Sequence, residues 1–187
     1  MSKRYALSYV SPIGEIEIQG TNEAVYSIMF SNRNEPSTRV IEEAPFQVLK
    51  ECASQLDEYF KGERFEFSFP YAYEGTDFQQ KVWNALVNVG YGTTTAYKDI
   101  ALAIGNEKAI RAVGSANGKN KLSIVIPCHR IIGSNQKLTG YAGGLWRKEW
   151  LLQHEKRCLG AKGAPSDYLK TEEGIKALKA AILRMPR

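Results

Sequence analysis

Histidine and cysteine are scarce in this chain: His129 and His154, with Cys52, Cys128 and Cys158, are all that 187 residues contain. No C-x-x-C or H-x-x-x-H pair is present, which argues against a structural zinc site. An odd number of cysteines at irregular spacing argues against a disulfide framework. Long apolar runs are also lacking. Stretches such as 123–127 fall far short of a bilayer span, so no membrane partner is expected. The N-terminal MSKRYALSYVSP has no long apolar segment of the kind a secretory signal needs. An intracellular protein is therefore expected, cytoplasmic or, in a eukaryote, nuclear. In such a reducing setting each cysteine is free to be buried or to react. No internal repeat or low-complexity tract stands out.

What is present fits a folded chain. Hydrophobic residues make up 43% and charged residues 24%, globular values that exclude disorder throughout. The net charge of +5 hides an asymmetry. Residues 1–76 carry seven Lys/Arg against twelve Asp/Glu, 77–155 ten against five, and 156–187 eight against three. An acidic first part and a basic remainder suit a polyanionic partner such as nucleic acid, although a merely solvated basic surface has the same composition.

Periodicity gives the elements. Residues 5–10, 14–19 and 24–30 read as strands, the first two joined by a hairpin at Ser11-Pro12-Ile13-Gly14. Residues 31–37 read as a polar loop. Phe46, Leu49, Ala53, Leu56 and Phe60 stripe a helix over 46–60, and the alternating RFEFSF of 64–69 predicts a fourth strand. After a linker at 71–75, Thr76 and Gln79 form a capping box for the next helix, whose stripe is Phe78, Val82, Leu86 and Val89. A helix over 95–104 ends at Gly105, and Asn106 is placed to cap another over 107–117, a helix-turn-helix pattern. Residues 122–126 predict a short buried strand or extended segment, 133–144 an irregular glycine-rich loop, and 145–155 a strong helix. Residues 160–165 read as a breaker, and Ile175, Leu178, Ile182 and Met185 as the stripe of a terminal helix. The expected fold is α+β: a small antiparallel sheet with a helix over 1–75, a mostly helical domain over 76–155, and a basic extension over 156–187.

The chemistry-bearing segment is Ile126-Pro127-Cys128-His129-Arg130. A cysteine is nucleophilic as thiolate, and imidazole or nearby cations favour that form. Adjacent residues in a strand point apart, so a tight turn after Pro127 or a bridging water is needed to connect Cys128 with His129. Taken alone, Cys128 reads equally as a small buried hydrophobe.

From Thr94 to Glu155 the chain resembles the 6-O-alkylguanine-DNA alkyltransferase family. The matching pieces are TAYKDIA, GNEKAIRAVGSANGKN, IVIPCHRII and TGYAGGLWRKEWLLQHE, in order and compatibly spaced. The first 75 residues match the family's variable N-terminal domain only in element order. The resemblance implies a ribonuclease H-like first domain and a winged-helix-like helix-turn-helix in the second. It implies single-turnover transfer of an alkyl group from the 6-oxygen of guanine, or the 4-oxygen of thymine, in double-stranded DNA. The resemblance implies no cofactor, and a monomer is expected; some relatives bind zinc in the N-terminal domain, but with both histidines past residue 128 no such site is expected here.

Site roles follow from the same resemblance. Cys128 is the acceptor, His129 and Glu155 form a proton relay to it through water, and Asn120 braces the active-site turn. Arg111 is a finger inserted in place of the flipped base, and Tyr97 crowds the target phosphate. DNA contacts are expected from Arg111, Tyr97, Ala112, Ser115 and Arg130. The base pocket is expected from Tyr97, Ile131, Tyr141, Ala142 and Gly143. The small residues Ala109, Ala112, Gly114, Ser115 and Ala116 suit close approach in a minor groove rather than base-edge reading in a major groove. Without the resemblance, Glu155 and Arg111 read as solvated helix charges, Asn120 as a turn residue and Tyr97 as a half-buried aromatic. Ala142 stands where some relatives carry serine, and Asn117 where some carry a larger apolar residue. Two other functions compete. A lesion-binding module would lack the cysteine, and a cysteine hydrolase leaves the helix-turn-helix unexplained.

Overall fold

The computed structural model describes residues 4–31 and 46–162. The chain divides into two compact units, residues 1–74 with 121–123, and residues 75–120 with 124–187.

The first unit is built on three antiparallel strands, β1 (Tyr5–Ser11), β2 (Gly14–Gly20) and β3 (Val25–Phe30), in that order across the sheet. Their alternation is why they form. Ile16 and Ile18 of β2 are fully buried while Glu15 and Glu17, which alternate with them, are not. At the hairpin Ser11 Oγ donates to the Gly14 carbonyl at 2.6 Å and accepts from Ile13 N–H at 3.2 Å. Helix α1 (Gln47–Phe60) lays Leu49, Cys52, Leu56 and Tyr59 into the core. It approaches the β2 bulge so closely that a Cβ on Gly20 would stand 2.5 Å from the Ala24 carbonyl oxygen and 2.8 Å from Leu49 Cδ2.

The strand expected over 64–69 does not form. Its backbone and polar side chains turn to α1 instead. Gln55 accepts from Ser68 N–H at 2.9 Å and donates to Ser68 Oγ at 2.9 Å, and Arg64 pairs with Glu58 at 2.6 Å. Phe67 packs on Tyr59, so the alternation reflects aromatic packing without a pairing strand. Only at Tyr71 does the chain pair with the sheet, through Val25. Residues 122–126 are buried as expected but make a turn. Leu122 bridges to Ile28, and Ile124 then takes φ 73°, which ends any extended run.

The second unit opens with α2 (Asp77–Val87), and the Thr76–Gln79 capping box is present in both directions, at 3.3 and 3.0 Å. Strand β4 (Thr95–Ala96) precedes α3 (Tyr97–Ala103), so the first two residues of the helix expected over 95–104 are extended. Asp99 takes the Ala96 N–H at 3.0 Å and so fixes the helix start. Gly105 has φ 76°, as a left-handed cap requires. Asn106 does not cap with its side chain. Residues Glu107–Ala109 form a tight 3-10 turn, closed by Ala109 N–H on the Asn106 carbonyl at 3.0 Å, before α4 (Ile110–Gly118) begins.

A second 3-10 turn, Cys128–Arg130, leads into β5 (Ile131–Ile132), which pairs in parallel with β4. Helix α5 runs from Leu145 to Lys162. It passes through Gly160, so the breaker expected at 160–165 does not end it there, and the extension expected from 156 begins as helix. The loop expected over 32–37 and the helix expected around 175–185 lie outside the described residues. Among the described residues no helix is long and apolar enough to cross a membrane.

Candidate active site

Local sequence makes the turn that carries the cysteine. Pro127 has no N–H to donate, which leaves the turn to be closed by the residues that follow it. Cys128 N–H then donates to the Ile126 carbonyl at 2.7 Å and Arg130 N–H to the Pro127 carbonyl at 2.9 Å. Cys128, His129 and Arg130 are all buried. Asn120, just beyond α4, reaches this turn with one amide nitrogen, which donates to the Ile126 carbonyl at 2.8 Å and lies 3.1 Å from Cys128 Sγ. Asn117, on the buried face of α4, donates to the Cys128 carbonyl at 3.4 Å.

Behind the turn stands Glu155 on α5, fully buried and accepting four hydrogen bonds. His129 Nε2 lies 2.7 Å from Oε1. Arg130 donates twice, at 2.9 and 3.0 Å, and Gly92 N–H once, at 2.9 Å. Gly92 has φ 69°, and a Cβ there would collide with Leu159. The third donating nitrogen of Arg130 is held by the Val89 carbonyl at 2.6 Å, and Tyr91 lies against its guanidinium.

These contacts set the charges. Burial alone would raise the Glu155 carboxyl, but Arg130 and His129 beside it hold it well below the usual carboxylate range. Burial lowers the His129 imidazole, outweighing the attraction of Glu155, so the ring is neutral. With Nε2 donating to Glu155, Nδ1 carries the lone pair, and that buried atom has no hydrogen-bond partner among the described residues. Burial raises the Cys128 thiol, while the Asn120 amide and the Lys148 charge act against that rise.

Cys128, His129, Asn120 and Glu155 are thus brought together. On α4, Arg111, Ala112 and Ser115 share the exposed face, while Val113 and Ala116 point inward. Arg130 is a correction. Expected among the DNA contacts, it is buried with its guanidinium engaged by Glu155 and Val89, so it has no reach to a phosphate. Tyr97 Oη donates to the Thr139 carbonyl at 3.1 Å, against the 133–144 loop. In that loop Ala142 is exposed and Gly143 buried, and Gly144 N–H closes a turn on the Tyr141 carbonyl at 2.9 Å. Ile131 is buried, and its carbonyl accepts from Lys148 Nζ at 2.5 Å.

Lys148 is the residue that sequence reasoning missed. A signal for it exists: it shares the spacing of Leu151 and Glu155, which face inward on α5, so it sits on the buried stripe. Among the described residues no group of three His, Cys, Asp or Glu is placed to hold a metal ion.

Comparison with known proteins fits this arrangement. The family model described as 6-O-methylguanine DNA methyltransferase, DNA binding domain, matches residues 77–157, and that of the ribonuclease-like domain matches 4–73. The chain belongs to the 6-O-methylguanine DNA methyltransferase family. The methylated-DNA–protein-cysteine methyltransferase of Methanosarcina acetivorans is 46% identical over 158 residues, 82% of this chain and 99% of that protein. The constitutive one of Bacillus subtilis is 42% identical over 157 residues, 81% and 95% of the two chains. Among solved structures of the family, the Mycobacterium tuberculosis O6-methylguanine methyltransferase matches with a TM-score of 0.74 and 38% identity, over 88% of this chain and 97% of that one. The same organism's protein in complex with DNA matches with a TM-score of 0.73 and 39% identity, over 83% and 93%.

Proposed function

We propose that this chain repairs DNA by direct reversal, taking the alkyl group from the 6-oxygen of guanine onto Cys128, once per molecule. The observation that carries this reading is the buried Cys128 sulfur, 3.1 Å from the Asn120 amide, on the same turn as a buried His129 whose imidazole lies 2.7 Å from Glu155.

In the proposed step His129 Nδ1 takes the Cys128 proton through a water, and the thiolate attacks the alkyl carbon. The new S–C bond forms as the C–O bond breaks; the guanine anion, shared between its oxygen and N1, takes back through solvent the proton that His129 received from the thiol, so the base leaves neutral with its proton on N1 and His129 returns to its starting form. The thioether is stable, which limits each chain to one event. Glu155 orients the imidazole and stabilises the charge it gains. The Ala142 N–H is assigned to the guanine oxygen, and the carbonyls of Cys128 and Ile131 to its amino group. Arg111 is assigned to the gap left by the flipped nucleotide and Tyr97 to its phosphate; a poorly paired, damaged base is the least costly to flip. One chain supplies every group named, so a monomer acts alone, in the compartment that holds the DNA, the cytoplasm in a cell without a nucleus.

Incubation with a duplex carrying 6-O-methylguanine tests this. The intact protein should gain the mass of one methyl group, located on the peptide containing Cys128, and no more with excess DNA. Cys128→Ser should bind the same duplex and gain nothing. Binding by the native chain with no mass gain would point to a lesion-binding module; neither binding nor gain would sink the reading.

A further inference from the structure

The charges around the cysteine turn do not cancel evenly. Glu155 is paired with Arg130 through both oxygens, so the two are neutral as a unit. His129 is neutral. Lys148 remains. It is fully buried, and its ammonium donates to the carbonyls of Ile131, Thr139 and Gly140 at 2.5, 2.7 and 3.5 Å, with the Tyr97 ring centroid 5.9 Å away. Carbonyls and a ring face offer partial charges only, and a buried ammonium without a full counter-charge is unfavourable. Its position is fixed relative to the cysteine. Ile131, whose carbonyl it holds, closes the cysteine turn by donating its N–H to the Cys128 carbonyl. Burial lowers Lys148 to about 8, and Cys128 opposes that fall, as Lys148 opposes the rise of the thiol.

We propose that Lys148 is the counter-charge of the Cys128 thiolate, a positioning residue whose ammonium is anchored, through the Ile131 carbonyl, on the turn that carries the sulfur. The inference rests on the alkyl-transfer reading of the site and deepens it. The groups about the ammonium are Cys128 and His129 on the turn and Tyr97 on α3, with Arg130 and Glu155 beyond His129. Of these, Cys128 alone changes from neutral to negative in the reaction and back to neutral as a thioether. Transfer therefore ends the capacity of the sulfur to become the partner of that cation.

The test uses iodoacetamide, a small electrophile that needs no DNA. Its reaction with Cys128 is followed by peptide mass across pH in the full chain, with Cys52 and Cys158 as internal references. Lys148→Met should react about tenfold more slowly at neutral pH, equivalent to a midpoint one pH unit higher, while Lys148→Arg restores the rate. An unchanged profile in Lys148→Met overturns the proposal. Should that variant not fold, the native chain decides. The side-chain carbon signal of Lys148, in protein labelled with 13C-lysine, should titrate at lower pH once Cys128 is alkylated by iodoacetamide, because linkage is reciprocal. An identical titration before and after overturns the proposal. A native chain that shows this linkage but takes no methyl group from DNA would retain the counter-charge and lose the alkyl-transfer reading.

Discussion

Glu155 collects His129, Arg130 and Gly92 on its two oxygens, and no part of that set is local in sequence. His129 lies 26 residues away and Gly92 lies 63 away. Spacing therefore gave no hint of the role, and only the resemblance singled the residue out. Its neighbour Arg130 was misread for a related reason. Read through the resemblance it falls among the DNA contacts, and nothing in the linear chain distinguishes an internal guanidinium from a surface one. Lys148 was legible in principle, because its spacing from Leu151 and Glu155 puts it on the same inward face of α5. Glu155→Gln should leave Arg130 buried opposite a neutral amide, a loss of about 3–5 kcal/mol for a buried pair broken on one side. Urea unfolding measures it; a midpoint equal to that of the native chain would mean that Arg130 is compensated elsewhere.

Elements defined by short-range signals were read well. The hairpin of β1 and β2 and the Thr76–Gln79 capping box depend on residues within a few positions, and both stand as expected. Segments whose partners are distant were not. RFEFSF alternates like a strand, yet its Ser68 N–H goes to the Gln55 side chain on α1. Thr95-Ala96 looks like helix until Ile131-Ile132 is there to pair with it. For α4 the small residues on its outer face are the useful signal, because they leave Arg111 standing above a low surface. Arg111→Ala should slow repair of a methylated duplex at least tenfold while leaving reaction with free 6-O-benzylguanine near the native rate, as paired single-turnover assays would show. Equal slowing on both substrates would remove the finger role.

At the scale of the whole molecule, charge governs two behaviours. The acidic excess lies within residues 1–76 and the basic excess beyond, so DNA affinity should rest largely on phosphate contacts that release counterions. Titrating duplex at increasing salt should give log affinity falling linearly with log salt; a flat response would contradict such an interface. Stability should also fall in acid. His129 titrates at 6.5 when unfolded and lower when folded, so below about pH 6.5 the unfolded chain binds a proton that the folded chain refuses. Glu155 continues the trend. Its stabilising contribution is present above its unfolded value of 4.5 and is lost as pH falls through that value toward its depressed folded one. Thermal melts should therefore show Tm dropping from pH 6.5 downward; a Tm constant to pH 4.5 would mean that His129 is protonated in the fold.

Ile124 carries a consequence of its own. It is a β-branched residue at φ 73°, buried, in the short path between Asn120 and Cys128. A side chain of that shape resists the left-handed region by about 1–3 kcal/mol. The path thus behaves like a bent spring, held closed by the amide clasp at the sulfur and by Leu122 on the sheet edge. Bulk added to the sulfur would press on the amide at one end of that path, and backbone amides of 121–127 should then exchange with solvent ahead of the helices on either side, as hydrogen exchange before and after alkylation would show.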